Sequence, residues 1–172
     1  VGVVGELCAR GYLVMKEYFD KPEATASAID ADGWLHTGDL GTMDERGYCR
    51  ITGRLKDMVI RGGENMFPAE IEAVLIEHPA VIEAAVIGVP DHRMGEELAA
   101  FVRVAAESPD VEKLRAHVRS RLAAPKAPRY WVFLTEFPLT GSGKIQKFVL
   151  RERWDSGAFA VIDAVGERSA RS

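Results

Sequence analysis

Apolar and polar positions change their rhythm near residue 53. Before it, Gly5-Glu-Leu-Cys-Ala-Arg-Gly11 alternates like a strand and ends on glycine, and Tyr48 to Thr52 predicts another strand. Pro22 to Ile29 predicts a short helix, its proline suited to the first turn. Asp30-Ala-Asp-Gly33 and Asp44-Glu-Arg-Gly47 predict turns that close on glycine. Residues 1–52 hold few sizeable apolar groups and are expected to be marginal alone, the β-rich edge of a larger body.

After Gly53 strands and helices alternate. Asp57 to Ile60 predicts a short strand and Arg61 to Phe67 a loop. Pro68 can open a helix in which Ile71, Val74 and Leu75 share one face. The apolar runs Glu83 to Val89 and Leu98 to Ala105 predict strands joined by a turn at Pro90-Asp-His-Arg-Met-Gly95. Ser108-Pro109-Asp110 predicts a helix start, followed by a stripe of Val111, Leu114, Val118 and Leu122 that Pro125 and Pro128 stop. Arg129 to Thr135 predicts a strand and Phe148 to Trp154 a last helix. The expected organisation is a β-rich segment 1–52, an α+β domain 53–155 with helices against a three-stranded sheet, and a flexible tail 156–172.

Composition narrows the function classes. The 172 residues are 47% apolar and 28% charged, enough for a globular core. A net charge of −4 argues against general nucleic-acid binding. No apolar segment approaches a membrane span and no secretory leader is present, so a cytoplasmic protein is expected. The start at Val1, without an initiating Met, predicts a fragment or a processed chain. Cys8 and Cys49 have no His or Cys partner at metal-ligand spacing, so both are expected to be reduced packing residues and no metal site is expected. His36, His78, His92 and His117 form no local ligand pair and no nucleophile–base arrangement.

Three ordered blocks carry the candidate chemistry. In Gly33-Trp-Leu-His-Thr-Gly-Asp-Leu-Gly41, Asp39 beside a glycine can approach a sugar and accept from both ribose hydroxyls, or simply cap a turn. In Gly53-Arg-Leu-Lys-Asp57, Arg54 offers fixed donors for ribose or phosphate oxygens, and Lys56-Asp57 is a polar pair suited to a pivot. Gly62-Gly63 lets a long thin ligand pass close to backbone, or forms an ordinary turn. In Pro138-Leu-Thr-Gly-Ser-Gly-Lys-Ile-Gln-Lys147, Lys144 is a loop cation able to swing into an anionic site. The run is not a nucleoside-triphosphate loop, because Pro138 and Ile145 break that pattern.

Read together, these blocks resemble the adenylate-forming superfamily of acyl-CoA synthetases, aryl-CoA ligases, luciferases and peptide-synthetase adenylation domains, over about residues 5 to 153. The resemblance implies that Asp39 is the ribose-binding aspartate, Arg54 the nucleotide-contacting arginine and Lys56 the hinge. It implies that Gly62-Gly63 lines the pantetheine channel and that Lys144 drives adenylation. It also implies a small C-terminal lid domain that rotates between two half-reactions, with ATP, Mg2+ and coenzyme A as cofactors and a fatty or aryl carboxylic acid as substrate. Ile60 stands where many relatives carry lysine, and Pro125 replaces an aromatic before Lys126. The phosphate loop, the magnesium motif and the acyl pocket of that family have no counterpart here, so Mg2+ is expected to be held mainly by an N-terminal part that this chain lacks, and the chain alone is expected to be inactive. An adenylation domain that loads a carrier protein, and a non-catalytic lid module, are the alternatives.

Overall fold

The computed structural model describes residues 1–105 and 110–165. The chain divides into two compact units, Val1–Lys56 and Asp57–Ser172.

In the first unit, β1 (Gly5–Ala9), β2 (Leu35–Met43) and β3 (Cys49–Arg54) form an antiparallel sheet in chain order, with α1 (Pro22–Ala28) between β1 and β2. Both turns expected from sequence are present. Asp30 Oδ1 accepts from the Asp32 and Trp34 amides, and Asp44 Oδ1 from those of Arg46 and Tyr48. β2 was not anticipated: its glycines and polar residues hide the alternation, and antiparallel pairing on both sides makes it a strand. β3 extends to Arg54, so the expected boundary at 52/53 falls inside a strand and moves to Lys56. Leu40 is the large apolar side chain this unit buries among the described residues, whereas Tyr12, Leu13 and Phe19 are exposed.

The second unit is built on six strands: β4 (Val59–Arg61), β5 (Glu64–Met66), β6 (Val81–Asp91), β7 (Gly95–Val104), β8 (Tyr130–Phe133) and β9 (Ile162–Asp163). Four of them, β5, β4, β7 and β8, lead in that order to β9, while β6 pairs with β7 as a long hairpin. β8 runs parallel to β7, and the connection between them carries α3 (Val111–Arg119). The strands expected at 83–89, 98–105 and 129–135 correspond to β6, β7 and β8 and the short strand expected at 57–60 to β4; β5 and β9 were not anticipated, and the sheet has six strands rather than three.

Alternate residues of β6 and β7 face opposite sides of the sheet. Val86, Leu98, Ala100 and Val102 lie under α2 (Pro68–Ile76) and α3 with Ile71, Leu75, Leu114, Val118 and Trp131. Ala85, Ile87, Ala99 and Phe101 face the other way, against Leu150 and Trp154 of α4 (Lys147–Asp155). Both faces are covered, which is why these strands read as continuous apolar runs rather than alternating ones. The mixed α and β architecture expected from sequence is the one observed.

Two local readings are revised, and a third lies partly outside the described residues. The helix start expected at Ser108-Pro109 lies outside the described residues, and the observed cap of α3 is Asp110, which accepts from the Lys113 amide at 3.2 Å. The loop expected over Arg61 to Phe67 is a β4–β5 hairpin closed by Gly62 and Gly63. The tail expected to be flexible from 156 is folded through its described part. Phe159 packs edge-on to Phe101 at 5.0 Å, and β9 pairs with Tyr130 and Trp131. Asp163, a fifth exposed, receives Arg129 Nη2 at 2.9 Å. That ion pair adds to the backbone pairing and to the packing of Phe159 and Ala164 in holding β9. No described helix is long and apolar enough to cross a membrane.

Candidate functional site

The antiparallel register of β2 and β3 sets Asp39 directly opposite Arg54. Their side chains meet as an ion pair, with Arg54 Nε 2.9 Å from Asp39 Oδ1. Arg54 is more than half exposed (54%), so the pair adds little to stability, and its ends stay available to solvent or a ligand. Thr37, Gly38, Arg54, Leu55 and Lys56 line a cavity of about 390 Å³. Lys56 itself is exposed within a 3-10 turn, Leu55–Asp57, and is the last residue of the first unit.

β1 fixes the backbone beside this cavity. Thr37 Oγ1 donates to the Leu7 carbonyl at 2.6 Å, and the Gly38 amide donates to Glu6 Oε1 at 2.9 Å. The Asp39 amide in turn donates to Thr37 Oγ1 at 3.1 Å. Glu6 had no place among the residues expected from sequence; a glutamate after glycine at a strand start gives no local signal of a contact 32 positions away.

In the second unit, Gly62 and Gly63 are the two central residues of the β4–β5 hairpin. Both have positive φ, 59° and 85°, as a primed two-residue turn demands. The paired glycines thus have a backbone reason of their own. Gly62 donates its amide to the Met94 carbonyl at 2.8 Å, and a Cβ there would stand 2.6 Å from Met94 Cε. Nothing crowds Gly63 within 4 Å, so its open side could admit a ligand.

Lys144 sits in a tight turn before α4. The Gly143 amide donates to the Thr140 carbonyl, the Thr140 amide to the Lys144 carbonyl at 2.8 Å, and the Lys144 amide to Thr140 Oγ1 at 3.1 Å. Leu139 and Ile145 bridge across the base. The two bonds that involve Lys144 use its backbone; its side chain is exposed and meets no carboxylate at ion-pair distance among the described residues. The other lysine of the run differs. Lys147 is engaged with Glu72 Oε1 at 2.7 Å, the oxygen that also accepts from the Val86 amide. Lys126 is likewise paired, with Glu70 at 2.6 Å. The structure thus brings Asp39, Arg54 and Lys56 together in one unit, and sets Gly62, Gly63 and Lys144 on separate elements of the other.

The expectation of buried packing cysteines fails, since Cys8 and Cys49 are both free and exposed. Cys8 instead lies opposite His36 in the β1–β2 register, its Sγ 3.6 Å from His36 Nδ1. Glu6 Oε2 is 3.0 Å from the same nitrogen, and Asp30 Oδ2 is 3.3 Å from Nε2. Hydrogen bonds to Glu6 and then Asp30 hold the His36 pKa above its ordinary value, while Glu6 and Asp30 are held below theirs.

The AMP-binding enzyme C-terminal domain family matches residues 70–144. The chain is 55% identical over 153 residues to YngI of Bacillus subtilis (strain 168), a protein named for an acyl-CoA synthetase assignment, covering 88% of this chain and 28% of that protein. It is 51% identical over 152 residues to the human mitochondrial medium-chain acyl-CoA ligase ACSF2, covering 88% of this chain and 25% of the ligase. Among solved structures, ATP-bound MatB from Rhodopseudomonas palustris superimposes with a TM-score of 0.80 at 41% identity, covering 89% of this chain and 31% of that chain. The chain therefore spans about a quarter of the curated relatives it matches. Residues 70–144 thus match the AMP-binding enzyme C-terminal domain family, and relatives matched over 88% of this chain carry the names of acyl-CoA synthetases and ligases.

Proposed function

We propose that this chain is the C-terminal part of an AMP-forming acid–thiol ligase that joins a carboxylic acid, fatty or aryl, to coenzyme A. In the first step a carboxylate oxygen attacks the α-phosphorus of ATP and the bond to pyrophosphate breaks, giving an acyl-adenylate. In the second, the coenzyme A thiol loses its proton, its sulfur attacks the acyl carbon and AMP leaves. The observation that carries this reading is the Asp39–Arg54 pair beside a cavity lined by Thr37, Gly38 and Arg54, which we read as a carboxylate and a guanidinium sharing the hydroxyls of one sugar. Asp39 accepts from the ribose, and Arg54 donates to ribose or phosphate oxygens.

Lys144 supplies the cation of the first step. Charge stabilisation dominates phosphoryl-type transfer, and an ammonium that meets no described carboxylate, on a glycine-flanked turn, can be placed at the reacting oxygens. Lys56 is the pivot between the two steps, and the open side of Gly63 borders the pantetheine path. Among the described residues no carboxylate lines the cavity, and Asp39 is paired with Arg54, so these residues do not form a magnesium site. The exposed Tyr12, Leu13 and Phe19 of the first unit suit the edge of a larger domain.

The test is acid-dependent exchange of pyrophosphate into ATP by the full-length protein, followed by detection of free acyl-CoA. Exchange that falls at least tenfold in Asp39→Asn, with free acyl-CoA as product, supports the reading. No exchange with any of a panel of fatty and aryl acids overturns it.

A further inference from the structure

We propose that Glu6, Cys8 and His36 form a binding site for a thiophilic divalent cation of the zinc class, with Asp30 orienting the imidazole. The proposal does not rest on the ligase reading. Glu6 and Cys8 are two apart on β1 and contact the same ring, and His36 is the register partner of Cys8 on β2. The backbone pairing, rather than flexible loops, thus converges a thiol, an imidazole and a carboxylate. One ligand atom from each lies within 4.8 Å of the others. In a tetrahedral site with Zn–S of about 2.3 Å and Zn–N of about 2.0 Å, sulfur and nitrogen stand about 3.5 Å apart. The observed Cys8 Sγ to His36 Nδ1 separation is 3.6 Å, and Nδ1 to Glu6 Oε2 is 3.0 Å.

The surroundings select the ring's tautomer. Asp30 Oδ1 is held by the amides of Asp32 and Trp34, leaving Oδ2 to take the Nε2 proton at 3.3 Å. A proton on Nε2 leaves the Nδ1 lone pair pointing at Cys8 and Glu6. A carboxylate behind a metal-binding histidine commonly supplies such orientation. Glu6 is anchored too, its Oε1 receiving the Gly38 amide at 2.9 Å. A bound cation needs the Cys8 thiolate and an unprotonated His36 Nδ1, so protons compete with it and affinity rises with pH. The three ligands leave a fourth position for water on this exposed surface. A bound ion would tie β1 to β2 just before Thr37 and Gly38.

Cobalt(II) titration of the reduced protein, followed by displacement with zinc, tests the site. The expected result is a thiolate-to-cobalt charge-transfer band and tetrahedral visible bands saturating at one equivalent, reversed by zinc. Cys8→Ser should abolish the charge-transfer band and Cys49→Ser should keep it. Asp30→Asn should weaken zinc affinity about 10- to 100-fold. The absence of the band from the wild-type protein overturns the proposal whatever the variants do. So does a band that survives Cys8→Ser, or a zinc affinity unchanged in both Cys8→Ser and His36→Gln.

Discussion

Replacing Lys144 by alanine should separate catalysis from stability. The hydrogen bonds of its turn run through the Lys144 amide and carbonyl, to Thr140 Oγ1 at 3.1 Å and from the Thr140 amide at 2.8 Å, and alanine keeps both. The lost side chain is exposed and meets no described carboxylate. The stability change should therefore stay within about 0.5 kcal/mol. Removal of one preorganised group that stabilises transition-state charge costs about 2.7–4 kcal/mol, a factor of roughly 100 to 1,000 in rate. Three measurements on the full-length protein check this: acid-dependent pyrophosphate exchange, thioester formation from supplied acyl-adenylate, and thermal unfolding. Exchange should fall by about two to three orders of magnitude, while thioester formation and the melting temperature barely move. Acetylation of Lys144, which removes the same charge, should reproduce the pattern. Equal losses in both half-reactions, or an unaffected first one, would refute the assigned role.

Arg129→Ala should cost about 3 kcal/mol, because it removes the cation shared by Asp163 and Asp91, both largely shielded from solvent. Denaturant melts and faster amide exchange at 162–165 would show it, and a loss below about 1 kcal/mol would contradict the anchoring of β9. Gly63→Ala should cost about 1–2 kcal/mol through its φ of 85°, and Gly62→Ala more, since its new methyl meets Met94 Cε. Adding Met94→Ala should recover part of the second loss only, and recovery of both would point to another cause. In metal-free protein the β1–β2 pairing should depend on pH at both ends. The raised His36 pKa contributes stability fully present below about pH 6.5 and lost as pH rises through the folded value. The lowered pKa values of Glu6 and Asp30 contribute stability present above about pH 4.5 and lost as pH falls. Amide protection factors at Cys8 and Thr37, taken against the intrinsic exchange rate at each pH, should be greatest between these limits, and His36→Gln should erase the alkaline limb; an unchanged profile in that variant would count against the cluster.

Much of the second unit was legible from periodicity. Ile71, Val74 and Leu75 mark α2, and the runs at 84–89 and 98–102 mark β6 and β7, because burial on two faces leaves a dense apolar signature. The candidate residues Asp39, Arg54, Lys56, Gly62, Gly63 and Lys144 were legible only as an ordered set of blocks. Spacing alone left Thr-Gly-Asp open as a turn and Gly-Gly open as a loop. β9 was not legible at all, since two residues cannot show an alternation and part of their hold is an arginine 34 positions earlier.

The sequence by itself determined the second unit's helices and long strands, the change of pattern near residue 53 and the chemical types at each candidate position. Those properties depend on neighbours within a few turns of chain, where hydrophobic period and backbone preference act. Only the tertiary structure decided that Asp39 faces Arg54, that Lys147 is engaged while Lys144 meets no described carboxylate, and that Cys8 meets His36 across 28 residues. Strand register sets the first and last of these, and register is a property of two segments together. No reading of either segment alone contains it.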